Sequence, residues 1–322
     1  MNRKVEHLPH VKRQLETLVE KIEKEIQVRQ YERALEKIAF LEEQQFFYPS
    51  IYKHKLFCLT RLERWDEVES IAESLLSNHS DPFIADYVLY YVTSLYHRQQ
   101  YHLVIEFINE RKWEEIFTNE DHEYLTHLYS ESEQKNSEKI KRISEKLQLA
   151  IITKNETEQW RLLNQWKLLS APPSELIYQM LSLPEVDSFV KTNILSELQD
   201  RKINRQITIM KKNQKLTVNV LDLHPLREHP FYVDTLQHLE DIEQNDPTLY
   251  SLVLELIQRY FEDKYPFFAH DDSKFIAEAA KSIAKNHLTG KTSISSDENE
   301  MVFMYKKQIE MTYEAFLRLT IT

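Results

Sequence analysis

At 322 residues, with 41 basic and 52 acidic side chains, the chain carries a formal charge of -11, which argues against whole-molecule binding to nucleic acid because phosphate neutralisation needs a basic face. It contains one glycine, where average usage is about 7%, so the residue that phosphate-cradling loops, β-hairpin corners and positive-φ turns rely on is almost missing. Nucleotide-binding α/β folds and all-β sandwiches are thereby disfavoured, and what remains is a chain of helices joined by short polar turns, long enough for two domains or an elongated repeat array.

The amino terminus, MNRKVEHLPHVKRQLETLVE, has basic residues but lacks the apolar run of about 7 to 15 residues that a secretory signal requires. No later segment approaches the roughly 18 consecutive apolar residues of a membrane span, so a cytoplasmic protein without membrane contact is expected. The lone Cys58 sits among Leu56, Phe57 and Leu59. One thiol makes no intramolecular disulfide, and an apolar setting raises its pKa, so it reads as a core filler rather than a nucleophile.

A repeat begins at Tyr31-Glu32-Arg33-Ala34-Leu35, returns at Trp65-Asp66-Glu67-Val68-Glu69 and again at Tyr101-His102-Leu103-Val104-Ile105, at intervals of 34 and 36 residues. A pair of antiparallel helices fills that period, with each aromatic opening the second helix. The preceding helix is clearest in the third unit, where Val88, Tyr91, Val92, Leu95 and Tyr96 form one apolar helical face. Tyr52, Leu56 and Leu59 do the same in the second unit. Pro49-Ser50 and Ser80-Asp81-Pro82 mark helix starts, the latter as an N-cap followed by proline at a first helical position.

On these residues, the segment from about 10 to 115 resembles three tetratricopeptide repeats. With the later stretches VKTNILSELQDRKINRQITIMKKNQKLTVNVLDLHPLREHPFY and LYSLVLELIQRYFEDKYPF, the whole chain is similar to a bacterial family of tetratricopeptide-like proteins. The resemblance implies an α-solenoid and leaves activity open. The chain departs from the repeat pattern where the two helices of a unit cross. Ile22, Leu56 and Val92 replace the expected small residue, and only Ala34 keeps the alanine that Val68 and Val104 replace. Bulk at those positions is expected to make the superhelix irregular.

In the usual geometry of such repeats, the first helices line a concave groove. That places Lys53, Phe57, Arg61, Leu89, Thr93, Tyr96 and His97 near a site for an extended or helical peptide. The same residues also read as inter-repeat core and solvated charge. The basic and asparagine set that some members use to grip a carboxyl terminus is not reproduced, because Phe57 stands at the asparagine.

Beyond Trp113 the periodicity weakens. SEKIKRISEKLQLAIIT and TEQWRLLNQWKLLS then read as one more helical hairpin, turning at Lys154-Asn155-Glu156, with Trp160, Leu163 and Trp166 inward. Ala171-Pro172-Pro173-Ser174 breaks the helical pattern. It divides a repeat domain, 1–170, from a carboxy-terminal helical domain, 171–322.

That second domain is expected to hold helices near 174–182 and 185–200, and then a β-hairpin near 204–221. Ile207 and Ile209 alternate with Thr208 and Met210, and Leu216, Val218 and Val220 with Thr217 and Asn219. The segment 201–221 contains Arg201, Lys202, Arg205, Lys211, Lys212 and Lys215 and no acid. Such a projecting basic hairpin suits phosphates or an acidic protein surface; it also reads as a solvated turn whose lysines guard a sheet edge. Helices near 231–243, 247–263, 272–287 and 297–318 complete the chain, with a loop at Leu288–Asp297.

The sequence carries no recognisable catalytic constellation. Thr289-Gly290-Lys291-Thr292 resembles the end of a phosphate-binding loop, but Lys285 stands where its first glycine belongs. There is no HExxH, paired-cysteine spacing or Gly-x-Ser-x-Gly. The near pairs His7 and His10, His97 and His102, and His224 and His229 lack ligand spacing with a supporting carboxylate. His270-Asp271-Asp272 reads as a loop and N-cap before Ser273. The sequence therefore points to an all-α protein, tetratricopeptide-like repeats followed by a helical region with one small β-hairpin. It reads as a non-enzymatic scaffold or adaptor for a protein or peptide partner, without metal or cofactor. An RNA- or ribosome-associated accessory role, through the basic hairpin 201–215, is the alternative.

Overall fold

The structure, a computed structural model, describes residues 9–44, 49–77, 81–110, 116–243, 245–268, 272–289 and 299–320. It divides into two compact units, Met1–Lys139 and Ile140–Thr322.

The first unit is built from the helix pairs the sequence marks: α1 (Pro9–Gln27) with α2 (Tyr31–Glu43), α3 (Pro49–Arg61) with α4 (Trp65–Leu75), and α5 (Ile84–His97) with α6 (Tyr101–Asn109). Each second helix opens on its aromatic, Tyr31, Trp65 or Tyr101. The turn before it is made without glycine. Arg29, Glu63 and Gln99, two residues ahead of each aromatic, take φ of 59°, 56° and 59°. Each turn then closes as a Schellman motif. In the second pair, Glu63 N–H donates to Thr60 O at 3.1 Å and Arg64 N–H to Leu59 O at 3.0 Å; in the third, Gln99 N–H donates to Tyr96 O at 3.0 Å and Gln100 N–H to Leu95 O at 2.9 Å. α3 starts on Pro49 as expected. Ser80 lies outside the described residues, and α5 begins at Ile84, after a turn in which Asp81 Oδ1 accepts from Phe83 N–H at 2.9 Å.

Burial follows the repeat. One cluster joins Ile22, Ala34, Ile38 and Leu41 to Ile51 and Cys58; the next joins Leu56, Leu59, Val68 and Ala72 to Ile84 and Tyr87; the third joins Val88, Val92, Leu95 and Val104 to Leu125 and Leu128. Each pair thus closes its core with the first helix of the next, as in a quasi-one-dimensional repeat array. The last such helix is the start of α7 (Asn119–Ile152). The bulky departures pair within clusters, Ile22 with Ala34, Leu56 with Val68 and Val92 with Val104, all at 0–1% exposure.

In the second unit, the end of α7 precedes α8 (Glu156–Leu168), α9 (Glu175–Met180), α10 (Ser188–Asp200), the strands β1 (Gln206–Lys211) and β2 (Gln214–Asn219), α11 (Pro230–Gln237), α12 (Glu240–Glu243), α13 (Pro247–Lys264), α14 (Ser273–Thr289) and α15 (Glu300–Thr320). One core runs through them, including Leu147, Trp166, Ile194, Ile209, Phe261, Ala280 and Tyr305. Leu163 and Trp166 are buried as expected, whereas Trp160 is half-buried against Phe316. The expected hairpin forms, antiparallel with Ile209 opposite Leu216. Its turn is only Lys212-Asn213, at φ 44° and 67°, the two positive φ angles that a two-residue type I′ connection requires. The second strand ends sooner than expected, because Asn219 Oδ1 accepts from Leu221 N–H at 3.0 Å and Val220–Asp222 curl into a 3-10 turn.

The two compact units divide at Lys139/Ile140, and Pro172-Pro173 lies within the second. α8 ends at Leu168, before the prolines, with Ser170 at φ 48°; Ala171 beside them is buried in the second core, and its carbonyl accepts from the Arg201 guanidinium at 2.5 Å.

Candidate functional site

Within the first unit the first helices are neighbours, α3 touching both α1 and α5. The groove candidates separate into distinct environments on that framework. Lys53 is ion-paired with Asp86 at 2.8 Å and lies 5.3 Å from the Phe83 ring centroid. Half-buried Phe57 meets Tyr31 edge to face at 6.1 Å. The exposed Arg61 guanidinium lies 5.0 Å from the Phe57 ring centroid, and among the described residues it has no carboxylate partner. Tyr90, which the sequence reading left out, joins this group. Burial, with the Asp86 carboxylate, pushes its hydroxyl up to about 12, and nearby Arg61 opposes the shift.

Other candidates are engaged elsewhere. Leu89 is half-buried against the third core cluster. Thr93 Oγ1 shares a hydrogen bond with Tyr124 Oη of α7 at 2.9 Å. Tyr96 donates its hydroxyl to Glu131 and accepts from Lys135, whose Nζ stands 4.4 Å from the Tyr96 ring centroid. That hydroxyl holds the Glu131 carboxyl below its ordinary pKa, with Lys135 assisting. His97 stacks on Trp65 of α4, centroids 4.0 Å apart and planes 5° from parallel. The set the structure brings together is therefore Phe57 and Arg61, with Tyr31 and Tyr90. Cys58 is buried beside them, and burial pushes its thiol up to about 11, as a core filler requires.

The hairpin cations need a correction, because they do not form a free basic projection. β1 buries Ile207, Ile209 and Lys211 alike: the two-residue period that turns the isoleucines inward carries Lys211 with them. Its Nζ donates to Thr192 Oγ1 at 2.5 Å and to the main-chain oxygens of Glu262 and Asp263 at 3.0 and 3.1 Å. Those carbonyls end α13, where a cation meets the negative end of the helix dipole. Lys212 is ion-paired with Asp263. Arg201 pairs with Glu197 at 2.7 Å and stands 5.0 Å from the Trp166 centroid. Arg205 pairs with Glu175 at 2.8 Å and stands 3.8 Å from the Tyr178 centroid. Of the six, Lys202 and Lys215 are exposed without a partner among the described residues.

A second buried amine, unremarked in the sequence, supports the same anchor. Lys191 of α10 is 2% exposed and donates to Met210 O at 2.6 Å. Burial pushes Lys191 down to about 8 and Lys211 to about 7, against the pull of Asp187 on the first and of Asp263 and Asp187 on the second. Asp187, which caps α10 through Phe189 N–H at 2.7 Å, is pushed up by its own burial. These groups border a cavity of about 310 Å³ in which ammonium and carboxylate charges oppose one another. The arrangement ties the hairpin to α10 and α13.

The pair His224 and His229 packs within the second unit. His229 Nδ1 accepts from Phe231 N–H at 3.3 Å as the cap of α11, and His224 meets its ring edge-on at 6.1 Å. Asp272 Oδ1 caps α14 through Lys274 and Phe275 N–H; His270 and Asp271 lie outside the described residues, as do Trp113 and Gly290-Lys291-Thr292. Among the described residues no cluster of His, Cys, Asp and Glu is arranged to hold a metal ion, and no helix is long and apolar enough to cross a membrane.

No protein-family model matches the chain, and no solved structure matches it. Among curated proteins it is similar to the TPR repeat-containing protein YsoA of Bacillus subtilis (strain 168), with 23% identity over 274 residues, covering 83% of this chain and 81% of that protein. The helix pairs and that similarity agree on a tetratricopeptide-like helical repeat fold.

Proposed function

We propose that this tetratricopeptide-like chain is a protein-interaction scaffold or adaptor, cytoplasmic and without catalytic activity, whose first-helix face holds a peptide or helix of a partner. The reading is carried by Arg61 over Phe57. An exposed guanidinium with no carboxylate partner among the described residues, laid on a half-buried ring, keeps both its donors and its apolar stem for a ligand. Arginine and aromatic side chains are the residue types that concentrate binding energy at interfaces. Similarity to a TPR repeat-containing protein supports an interaction role in general.

The test is affinity capture from cells with the full chain, its Phe57→Ala and Arg61→Glu forms, and a Lys215→Glu control. The reading expects partners retained by the parent chain and the control and lost by the two face variants. Retention by all four forms would refute it.

A further inference from the structure

The second unit contains a cleft of about 430 Å³ between α10, α13 and the 3-10 turn Leu226–Glu228. Aromatic rings line its interior: Phe189 and Tyr265, at 3% and 1% exposure, and half-buried Trp160. The wall comes from one face of α10, on which Thr192, Asn193, Ser196, Gln199 and Asp200 follow at helical spacing.

Most of that wall is already hydrogen-bonded within the protein. Thr192 donates to Glu262 O. Asn193 donates to Asn164 at 3.0 Å and accepts from Lys167 at 2.8 Å. Glu262 accepts from Gln258 at 2.9 Å and Arg259 at 2.7 Å. Gln199 uses its amide nitrogen twice, toward Leu223 O at 2.9 Å and Tyr265 Oη at 3.0 Å, while Tyr265 donates onward to His224 O at 2.8 Å. The oxygen of the Gln199 amide stays open, as do the exposed side chains of Ser196, Asp200, Arg227 and Glu228, which make no side-chain hydrogen bond or ion pair among the described residues.

That remainder has a definite chemistry. Its open acceptors are an amide oxygen and two carboxylates, against one guanidinium, with a hydroxyl able to act either way. Acceptor-rich walls require a donor-rich guest, and two carboxylates against one arginine favour a cation. We propose that this cleft binds a guanidinium or alkylammonium group.

Two probes carry that chemistry from different sources, spermidine as a free polyamine and the blocked peptide acetyl-Gly-Arg-Gly-amide as a polypeptide side chain. Titration of the full chain by calorimetry should show saturable binding of at least one of them. Binding should weaken at least about tenfold in the Asp200→Asn, Glu228→Gln double variant, since loss of a charge-assisted hydrogen bond is worth a tenfold step or more. Both positions are exposed, so the thermal transition should be unchanged. Binding should also survive Phe57→Ala, which separates this site from the repeat face. Saturation by spermidine alone identifies a free amine as the guest, and saturation by the peptide alone a side chain; either supports the proposal. No saturation by either probe, equal affinity in the double variant, or preference for acetate over both would overturn it.

Discussion

Lys211 is joined to Asp263 at the carboxyl end of α13, its Nζ 3.1 Å from that residue's main-chain oxygen. A lysine that the charge pattern alone assigns to a solvated turn is instead an interior donor linking β1 to two helices. Lys211→Met should therefore cost about 1 to 3 kcal/mol, the range for leaving buried acceptors without a donor. Lys215→Met, on the exposed strand, should stay within about 0.5 kcal/mol. Urea denaturation followed with amide-exchange protection of residues 206–219 distinguishes them; equal effects would contradict the anchor.

The same lysine gives a pH dependence with a defined sign. In the folded chain burial holds Lys211 at about 7 and Lys191 at about 8, whereas an unfolded lysine titrates near about 10.4. Between those values the unfolded chain binds more protons than the folded one. Stability of the second unit should therefore rise as pH increases from about 7 toward 10. Below about 7 both states are protonated, and these groups add no slope. Unfolding free energies measured across that range should show the rise in the parent chain and a flatter profile in Lys211→Met. Identical profiles would contradict the assignment.

The glycine-free turns make a second kind of prediction. Glu63 and Gln99 are exposed and sit at φ 56° and 59°, where a residue with a Cβ is strained by about 1 to 2 kcal/mol and glycine is not. Part of the gain is offset by the freedom glycine adds to the unfolded chain. Glu63→Gly and Gln99→Gly should each stabilise the first unit by about 0.5 to 1 kcal/mol, with no gain from the corresponding alanines. Thermal unfolding of the single and double variants checks this.

Leu56 and Val92 occupy positions where tetratricopeptide repeats expect a small side chain, yet both are fully buried and packed on the second helix of their own pair. Restoring a small residue should harm this chain. Leu56→Ala should cost about 2 to 5 kcal/mol, and Val92→Ala somewhat less, because the helices have settled around the larger volumes and leave a cavity. A chemical denaturation midpoint that does not fall would show that the pair tolerates closer approach.

How much of this was legible in the sequence depended on whether a signal repeats. The aromatics at 31, 65 and 101 located three second helices to the residue, because one packing problem is solved at each turn of the array. The positive-φ residues that precede them were not legible, since arginine, glutamate and glutamine have no preference for that conformation and the hydrogen bonds of the turn impose it. Lys211 reads as part of an exposed basic turn, although the alternation that turns Ile207 and Ile209 inward, carried two residues further, turns it inward as well. Nothing local marked Lys191, or the meeting of Thr93 and Tyr96 with α7. The Thr93 and Tyr96 contacts, to Tyr124, Glu131 and Lys135, lie in the first half of α7 (Asn119–Ile152), a largely polar helix whose apolar residues are too sparse to reveal its start.

Phe57 and Arg61 are the residues on which the proposed partner binding by the first-helix face turns. Peptides selected from a random library on the full chain can be titrated by calorimetry against the parent, Phe57→Ala, Arg61→Ala and Lys53→Ala, with circular dichroism confirming that each variant is folded. The account predicts that affinity falls at least about tenfold for Phe57→Ala and Arg61→Ala, as expected when an interface hot spot is truncated, and changes little for Lys53→Ala, whose charge is already paired with Asp86. Selected peptides that bind all four chains equally would contradict it.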